Sequence, residues 1–154
     1  MPKSRFRREL FGNREERNAA KTERLEARAA NTARFKEKNA QIDADRAQTM
    51  AQLAGLDTAG ALFVGESHEE GRNAVVALFP NRVERRKARK FSSLSSAGQE
   101  VEVTPISRVS SVATEKDGPL RTKVIVYASG NTIEFRFAHR QAADFRDALT
   151  GLLT

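Results

Sequence analysis

The sequence predicts an α+β protein: a long N-terminal helix, then about seven antiparallel strands curled into a sheet or barrel and capped by a C-terminal helix. Three observations carry this. From Arg14 to Ala54 there is neither Gly nor Pro, and the strong helix formers Ala, Arg, Glu, Lys and Gln dominate. After Gly55 the pattern changes to short β-rich runs punctuated by Gly, Pro and Ser, with no helix between them. The sheet must then be mainly antiparallel, because parallel strands need crossover connections. At the C-terminus, Ala138, Ala142, Phe145, Leu149 and Leu152 return to helical spacing on one face.

Residues 1–13 form a basic tail in which Lys3, Arg5, Arg7 and Arg8 surround Phe6, Leu10 and Phe11. It reads as a disordered tail or a short basic amphipathic anchor. Residues 14–54 form the long charged, Ala-rich helix. Its apolar stripe is thin, with Leu25, Ala29, Ala33 and Ala40 followed by Ala47, Met50 and Ala54. Alanine buries too little area to drive a strong coiled coil, so the helix is expected to be solvated or loosely docked.

Residues 55–154 form the β domain. "GALFVGE" (60–66) and "NAVVALFP" (73–80) are β-rich runs, and "EVEVTPI" (100–106) alternates with the period of a half-buried strand. "SRVSSVAT" (107–114) supplies a further short strand through Val109 and Val112. "RTKVIVYA" (121–128) and "NTIEFRF" (131–137) flank a Gly-containing connection that suits a hairpin. In the second arm Ile133, Phe135 and Phe137 share one face, while Glu134 and Arg136 share the other. The terminal helix spans 139–153, with Arg140, Asp144, Asp147 and Thr150 opposite its apolar side.

Composition narrows the function classes. The 154 residues carry a net charge of +7. Residues 1–54 hold 13 Lys and Arg against 8 Asp and Glu, and the remainder holds 14 against 12, so the excess is concentrated early. That balance favours acidic partners. Without cysteine there are no disulfides or thiolate metal sites, and no apolar run approaches the roughly 20 residues that span a bilayer. No apolar stretch follows the basic N-terminus as a secretory signal requires. The expectation is a soluble cytoplasmic protein, with attachment at the inner membrane face left open.

No catalytic signature stands out. His68 lies in "GESHEEG", read as a solvated turn between strands, and His139 opens the terminal helix; neither has zinc-ligand spacing. "GESHE" lacks the last glycine of a nucleophile elbow, and no phosphate-binding glycine loop is present. "SSLSSAG" (92–98) reads as a flexible connection. No enzyme, no cofactor and no metal are expected.

The strongest feature is "NRVERRKARKF" (81–91), with six Lys or Arg and one Glu in eleven positions. As a strand it puts Val83, Arg85, Lys87, Arg89 and Phe91 on one face and Arg82, Glu84, Arg86, Ala88 and Lys90 on the other. Both faces are basic, and unpaired charge cannot be buried cheaply. The strand must project, bulge, or pair with carboxylates such as Glu100 and Glu102 on a neighbour. The ordinary reading is a charged edge strand guarded against aggregation. The functional reading is an anion-binding strand made of Arg82, Arg85, Arg86, Lys87, Arg89 and Lys90.

The stretch "TPISRVSSVATEKDG…RTKVIVYASGNTIEFRF" followed by "HRQAADFRDALTGLL" resembles a bacterial pleckstrin-homology-like (PH-like) domain. The likeness is greatest to the small PH-like proteins of actinobacteria and their phages. Thr104–Ile106, Val109–Val112, Ala128–Phe135 and Phe145–Leu153 fill the family's strand, turn and helix positions, and "NAVVALFPNRVERRKARKF" resembles its early hairpin. The resemblance covers about residues 60–153. It implies a strongly bent seven-strand sheet plugged at one end by the helix, and binding of lipid headgroups, peptides or proteins without catalysis. Self-assembly of some relatives makes a homo-oligomer an option.

The expected function is therefore a non-enzymatic adaptor that engages an anionic protein or membrane surface through the basic strand, helped by the tail. Two alternatives stand beside it. One is nucleic-acid binding by Arg14, Arg17, Lys21, Arg24 and Arg28 of the helix; the other is a self-associating phage or host assembly protein. The sparse aromatic content, with no Trp and one Tyr, supplies no base-stacking platform.

Overall fold

A computed structural model describes residues 13–69, 71–88 and 99–154. Among the described residues two helices and seven strands follow in chain order: α1 (Arg14–Leu53), β1 (Phe63–Glu69), β2 (Arg72–Leu78), β3 (Arg82–Lys87), β4 (Glu100–Pro105), β5 (Val109–Asp117), β6 (Arg121–Ala128), β7 (Asn131–Ala138) and α2 (His139–Leu153). A 3₁₀ turn, Ile106–Arg108, joins β4 to β5. The strands form two antiparallel sheets and not a closed barrel: a four-stranded sheet in the order β1-β2-β3-β4 and a three-stranded sheet in the order β5-β6-β7.

The chain divides into two compact units, residues 1–40 and 41–154. In the first, α1 is exposed from Arg14 to Asn39. Its start is marked by Asn13, whose N–H donates to the Glu16 carboxylate at 3.5 Å, one half of a capping box. The Leu25–Ala29–Ala33 stripe buries nothing here, as its small side chains predict.

In the second unit the last turns of α1 lie on the outer face of the four-stranded sheet. Met50, Ala51, Ala54 and Leu56 pack with Val75, Ala77, Phe79 and Ala88. The helix ends in a Schellman motif: Leu56 N–H donates to the Ala51 carbonyl at 2.9 Å and Gly55 N–H to the Gln52 carbonyl at 3.0 Å. Gly55 takes the left-handed conformation this needs, φ +70°.

The inner face of the same sheet meets the second sheet and α2. Val76, Leu78 and Val83 join Val124, Val126, Phe135, Phe137, Phe145 and Leu149 in the larger core. β2 is thus covered on both faces, which is why "AVVAL" is continuously apolar instead of alternating. Phe63, Phe135, Phe137 and Phe145 form an aromatic cluster with ring centroids 5.3–5.9 Å apart. A Cβ on Gly65 would run into the Phe63 ring, so glycine lets that ring lie across β1.

β6 and β7 pair from Arg121↔Ala138 to Ala128↔Asn131, leaving Ser129–Gly130 as a two-residue turn. Both have positive φ, 45° and 82°, as a type I′ hairpin requires. On α2 the apolar side sinks into the core through Ala142, Phe145 and Leu149, while Arg140, Asp144, Asp147 and Thr150 stay exposed.

Two sequence expectations are corrected. "GESHE" is not a solvated turn: Glu66, Ser67, His68 and Glu69 are part of β1, with Ser67 fully buried. β3 is not an edge strand, because β4 pairs along its other side from Arg82↔Pro105 to Lys87↔Glu100.

The boundary within α1 gives a first prediction. A fragment of residues 41–154 should retain the cooperative unfolding of the β domain. A fragment of residues 55–154 loses Met50 and Ala51 from above Val75 and Ala77, and should be less stable by at least about 3 kcal/mol. Urea unfolding of the two fragments beside the full chain measures this.

Candidate functional site

The positions singled out by charge fall into three groups. Arg14, Arg17, Lys21, Arg24 and Arg28 are exposed on α1. Arg82, Arg85, Arg86 and Lys87 lie on β3. Lys3, Arg5, Arg7, Arg8, Arg89 and Lys90 lie outside the described residues, as do Phe91 and the 92–98 connection.

On β3 the alternation of the strand sorts the cations by face. Arg85 and Lys87 point inward with Val83, towards the second sheet, and both reach Glu69 at the end of β1. Arg85 Nη1 donates to Glu69 Oε1 at 2.6 Å and Lys87 Nζ lies 3.2 Å from Glu69 Oε2. Arg85 Nη2 takes Glu102, its partner across the β3–β4 ladder, at 2.9 Å, and Nη1 also donates to the Glu134 carbonyl at 3.0 Å. The guanidinium carbon sits 5.1 Å from the centre of the Phe135 ring. Arg85 therefore has three acceptors at 13% side-chain exposure.

Arg82 and Arg86 face outward and share Glu84. Arg86 donates to Glu84 Oε1 at 3.2 and 3.3 Å, and its Nη1 donates to the Ala54 carbonyl at the end of α1 at 2.8 Å. Gln99 Nε2 donates to the same carbonyl at 2.8 Å. Arg82 lies over the Phe79 ring at 3.9 Å and 3.6 Å from Glu84. Pairing is thus how the strand accommodates its charge. Glu102 was visible as a ladder partner; Glu69, sixteen residues upstream of Arg85, was hidden in a stretch read as a turn.

The inward group lines a groove of about 310 Å³ between the two sheets. Glu69, Arg85, Lys87 and Glu102 form one wall, and Thr132, Ile133, Glu134 and Arg136 form the other; α2 contributes nothing. Ser67 anchors the floor by accepting from the Arg136 N–H at 3.1 Å. A second depression of about 320 Å³ continues past Thr104 and Pro105 of β4 to Arg108, Ser129 and Asn131, sharing Glu102, Thr132 and Ile133 with the first.

Charge is arranged in depth. The side chains of Arg85, Lys87 and Arg136 are 13%, 18% and 34% exposed, against 45% for Glu102 and 51% for Glu134. The cations and Glu69, at 10%, form the floor, and Glu102 and Glu134 form the rim. Arriving solutes meet these two rim carboxylates first, although β3 is basic.

Elsewhere, Arg46 holds Glu66 at 2.7 Å and His68 Nε2 lies 3.4 Å from Glu66. Burial pushes the His68 imidazole below the usual histidine range, against the pull of Glu66, and Arg121 and Arg46 add to the lowering. His139 braces the β5–β6 turn, bonding to Thr122 Oγ1 at 2.6 Å and to the Pro119 carbonyl at 2.8 Å. Among the described residues no cluster of His, Asp and Glu is placed to hold a metal, and no helix is long and apolar enough to cross a membrane.

Neither a protein-family model nor a curated protein matches the chain.

The Glu69 network supplies a second prediction. Glu69→Gln preserves shape but removes the charge that neutralises Arg85 and Lys87, and should cost about 2 kcal/mol. Glu102→Gln touches the same arginine at an exposed rim and should cost at most about 0.5 kcal/mol. Chemical denaturation of the two variants compares them.

Proposed function

We propose that the chain is a non-enzymatic binding module, an adaptor whose PH-like domain engages a protein partner at the groove between its sheets. One observation carries the reading. The groove draws walls from both sheets and lines them with six charged side chains, at an end of the sandwich to which α2 contributes nothing. Interior positions of a two-sheet fold are normally apolar, and concave clefts with convergent polar groups are where ligands are oriented. The four-plus-three strand order with a terminal helix packed on both sheets supports the PH-like assignment.

Three cations and three carboxylates line this groove. That balance favours a protein segment bearing its own charges over a uniformly anionic membrane, since the rim carboxylates repel the latter. The anionic partner expected from β3 alone would have to displace Glu69 and Glu102 from Arg85.

The test is amide chemical-shift mapping of the full chain with two probes: vesicles rich in phosphatidylserine, and a decapeptide alternating Lys and Val. Peptide-induced shifts at Thr132–Arg136 and Arg85–Lys87, with none from vesicles, are expected. Shifts from vesicles alone would overturn the protein-partner reading.

A second reading, nucleic-acid binding, is favoured by α1. Arg14, Arg17, Lys21, Arg24 and Arg28 recur at alternating steps of three and four, so they share one side, and all are exposed. Glu16, Glu23, Glu26 and Glu37 fall on the opposite side of the helix. Five phosphate contacts predict that log K for duplex DNA falls with log salt at a slope of about −4.5. Arg17→Glu, Arg24→Glu and Arg28→Glu together should abolish retention in a gel shift; an unchanged affinity would eliminate the stripe as the contact.

A further inference from the structure

We propose that β4 is an acceptor edge: an extended basic segment of a partner protein adds to it as a fifth strand of the four-stranded sheet. This deepens the protein-binding reading and rests on it. β4 ends the sheet order, so one side of its backbone has no strand beside it among the described residues.

The ladder fixes which groups lie on that side. Ile106 N–H donates to the Asn81 carbonyl, which makes Asn81 and Ile106 a hydrogen-bonded pair continuing the β3–β4 register. Bonded pairs alternate in an antiparallel ladder, so Glu100, Glu102 and Thr104 spend their backbone groups on β3. Val101 and Val103 then turn their N–H and C=O outward. Their side chains are 52% and 51% exposed, on the face away from the groove.

Edges of soluble proteins are ordinarily blunted by bulges, lysines, prolines or cover. β4 pairs with β3 through six consecutive positions without a register shift, it carries no lysine, and its one proline, Pro105, stands at the strand's end beyond Val101 and Val103. Its guard is carboxylate: Glu100 and Glu102 are 56% and 45% exposed, and Glu134 faces the same groove at 51%.

That charge selects the occupant. A second copy pairing β4 with β4 about a two-fold axis centred on Val101 or on Glu102 sets Glu100 against Glu102 or Glu102 against Glu102, and like charges directly opposite destabilise a ladder; centred on Val103 it sets Glu102 against Thr104 and leaves the carboxylates without cations. An added strand with Lys or Arg at alternate positions places cations beside Glu100 and Glu102. The residues between them then cover Val101 and Val103. Main-chain bonds supply affinity and the alternating side chains supply specificity.

The test uses the full chain, the Lys–Val decapeptide and its Glu–Val counterpart. With saturating Lys–Val peptide, hydrogen exchange at the Val101 and Val103 amides should slow at least tenfold, while Glu–Val peptide leaves it unchanged. Val103→Pro removes an outward N–H and no ladder bond, so it should keep the thermal unfolding midpoint within a few degrees and lose tenfold or more in peptide affinity. Val101→Lys, on an exposed position, should weaken binding by a similar factor by replacing the apolar surface that the peptide's valines cover.

Shifts confined to the groove, with Val101 and Val103 exchange unchanged, would overturn strand addition and leave the groove reading standing. No response at the groove or at β4 would overturn both. Protection of Val101 and Val103 without peptide, together with a dimer by light scattering, would make a second copy the occupant and overturn the basic-strand proposal.

Discussion

Glu69 is the residue on which the interior arrangement turns. A strand with Arg85 and Lys87 facing a second sheet is tenable only when a carboxylate waits there, because desolvating an unpaired cation costs several kcal/mol. Glu69 is 8% exposed and meets both, within 2.6 and 3.2 Å. Its position at the end of β1 explains why the two sheets can be apolar towards Phe137 and Phe145 yet polar towards Glu102 and Arg136. One buried carboxylate thus converts what would be the second half of a hydrophobic core into a groove.

Much of the fold was legible because it rests on local pattern. The Gly- and Pro-free stretch gave α1 its limits, spaced Phe and Leu gave α2, and Ser129–Gly130 gave the hairpin. The alternation of Ile133, Phe135 and Phe137 marked β7. β3 was legible as a strand but not as an interior one, since strand order is decided by pairings between distant segments. The same holds for Glu69: nothing in "GESHEEG" distinguishes a solvated turn from a strand whose polar residues are matched across the sandwich. Charge counting found Arg85 and Lys87 and missed both Arg136 and the carboxylates that pair with them.

The outer face shows a related economy. The Ala54 carbonyl, left over at the end of α1, accepts from both Arg86 and Gln99. An arginine at this position neutralises Glu84 and satisfies a helix end at once, so Arg86 is a structural residue despite its place in a basic run. Of the four described cations of β3, Arg85, Arg86 and Lys87 are at most about one-fifth exposed, and only Arg82 approaches the surface with its charge over Phe79.

The unbulged edge of β4 also bears on how the protein behaves when concentrated. Open strand edges can template their own kind, and growth of that sort needs each added copy to present the same strand to the last. Glu100 and Glu102 give that edge a negative row, so such pairing is opposed by charge rather than by shape. That safeguard weakens with salt, so the ionic strength of storage would govern whether this chain stays dispersed.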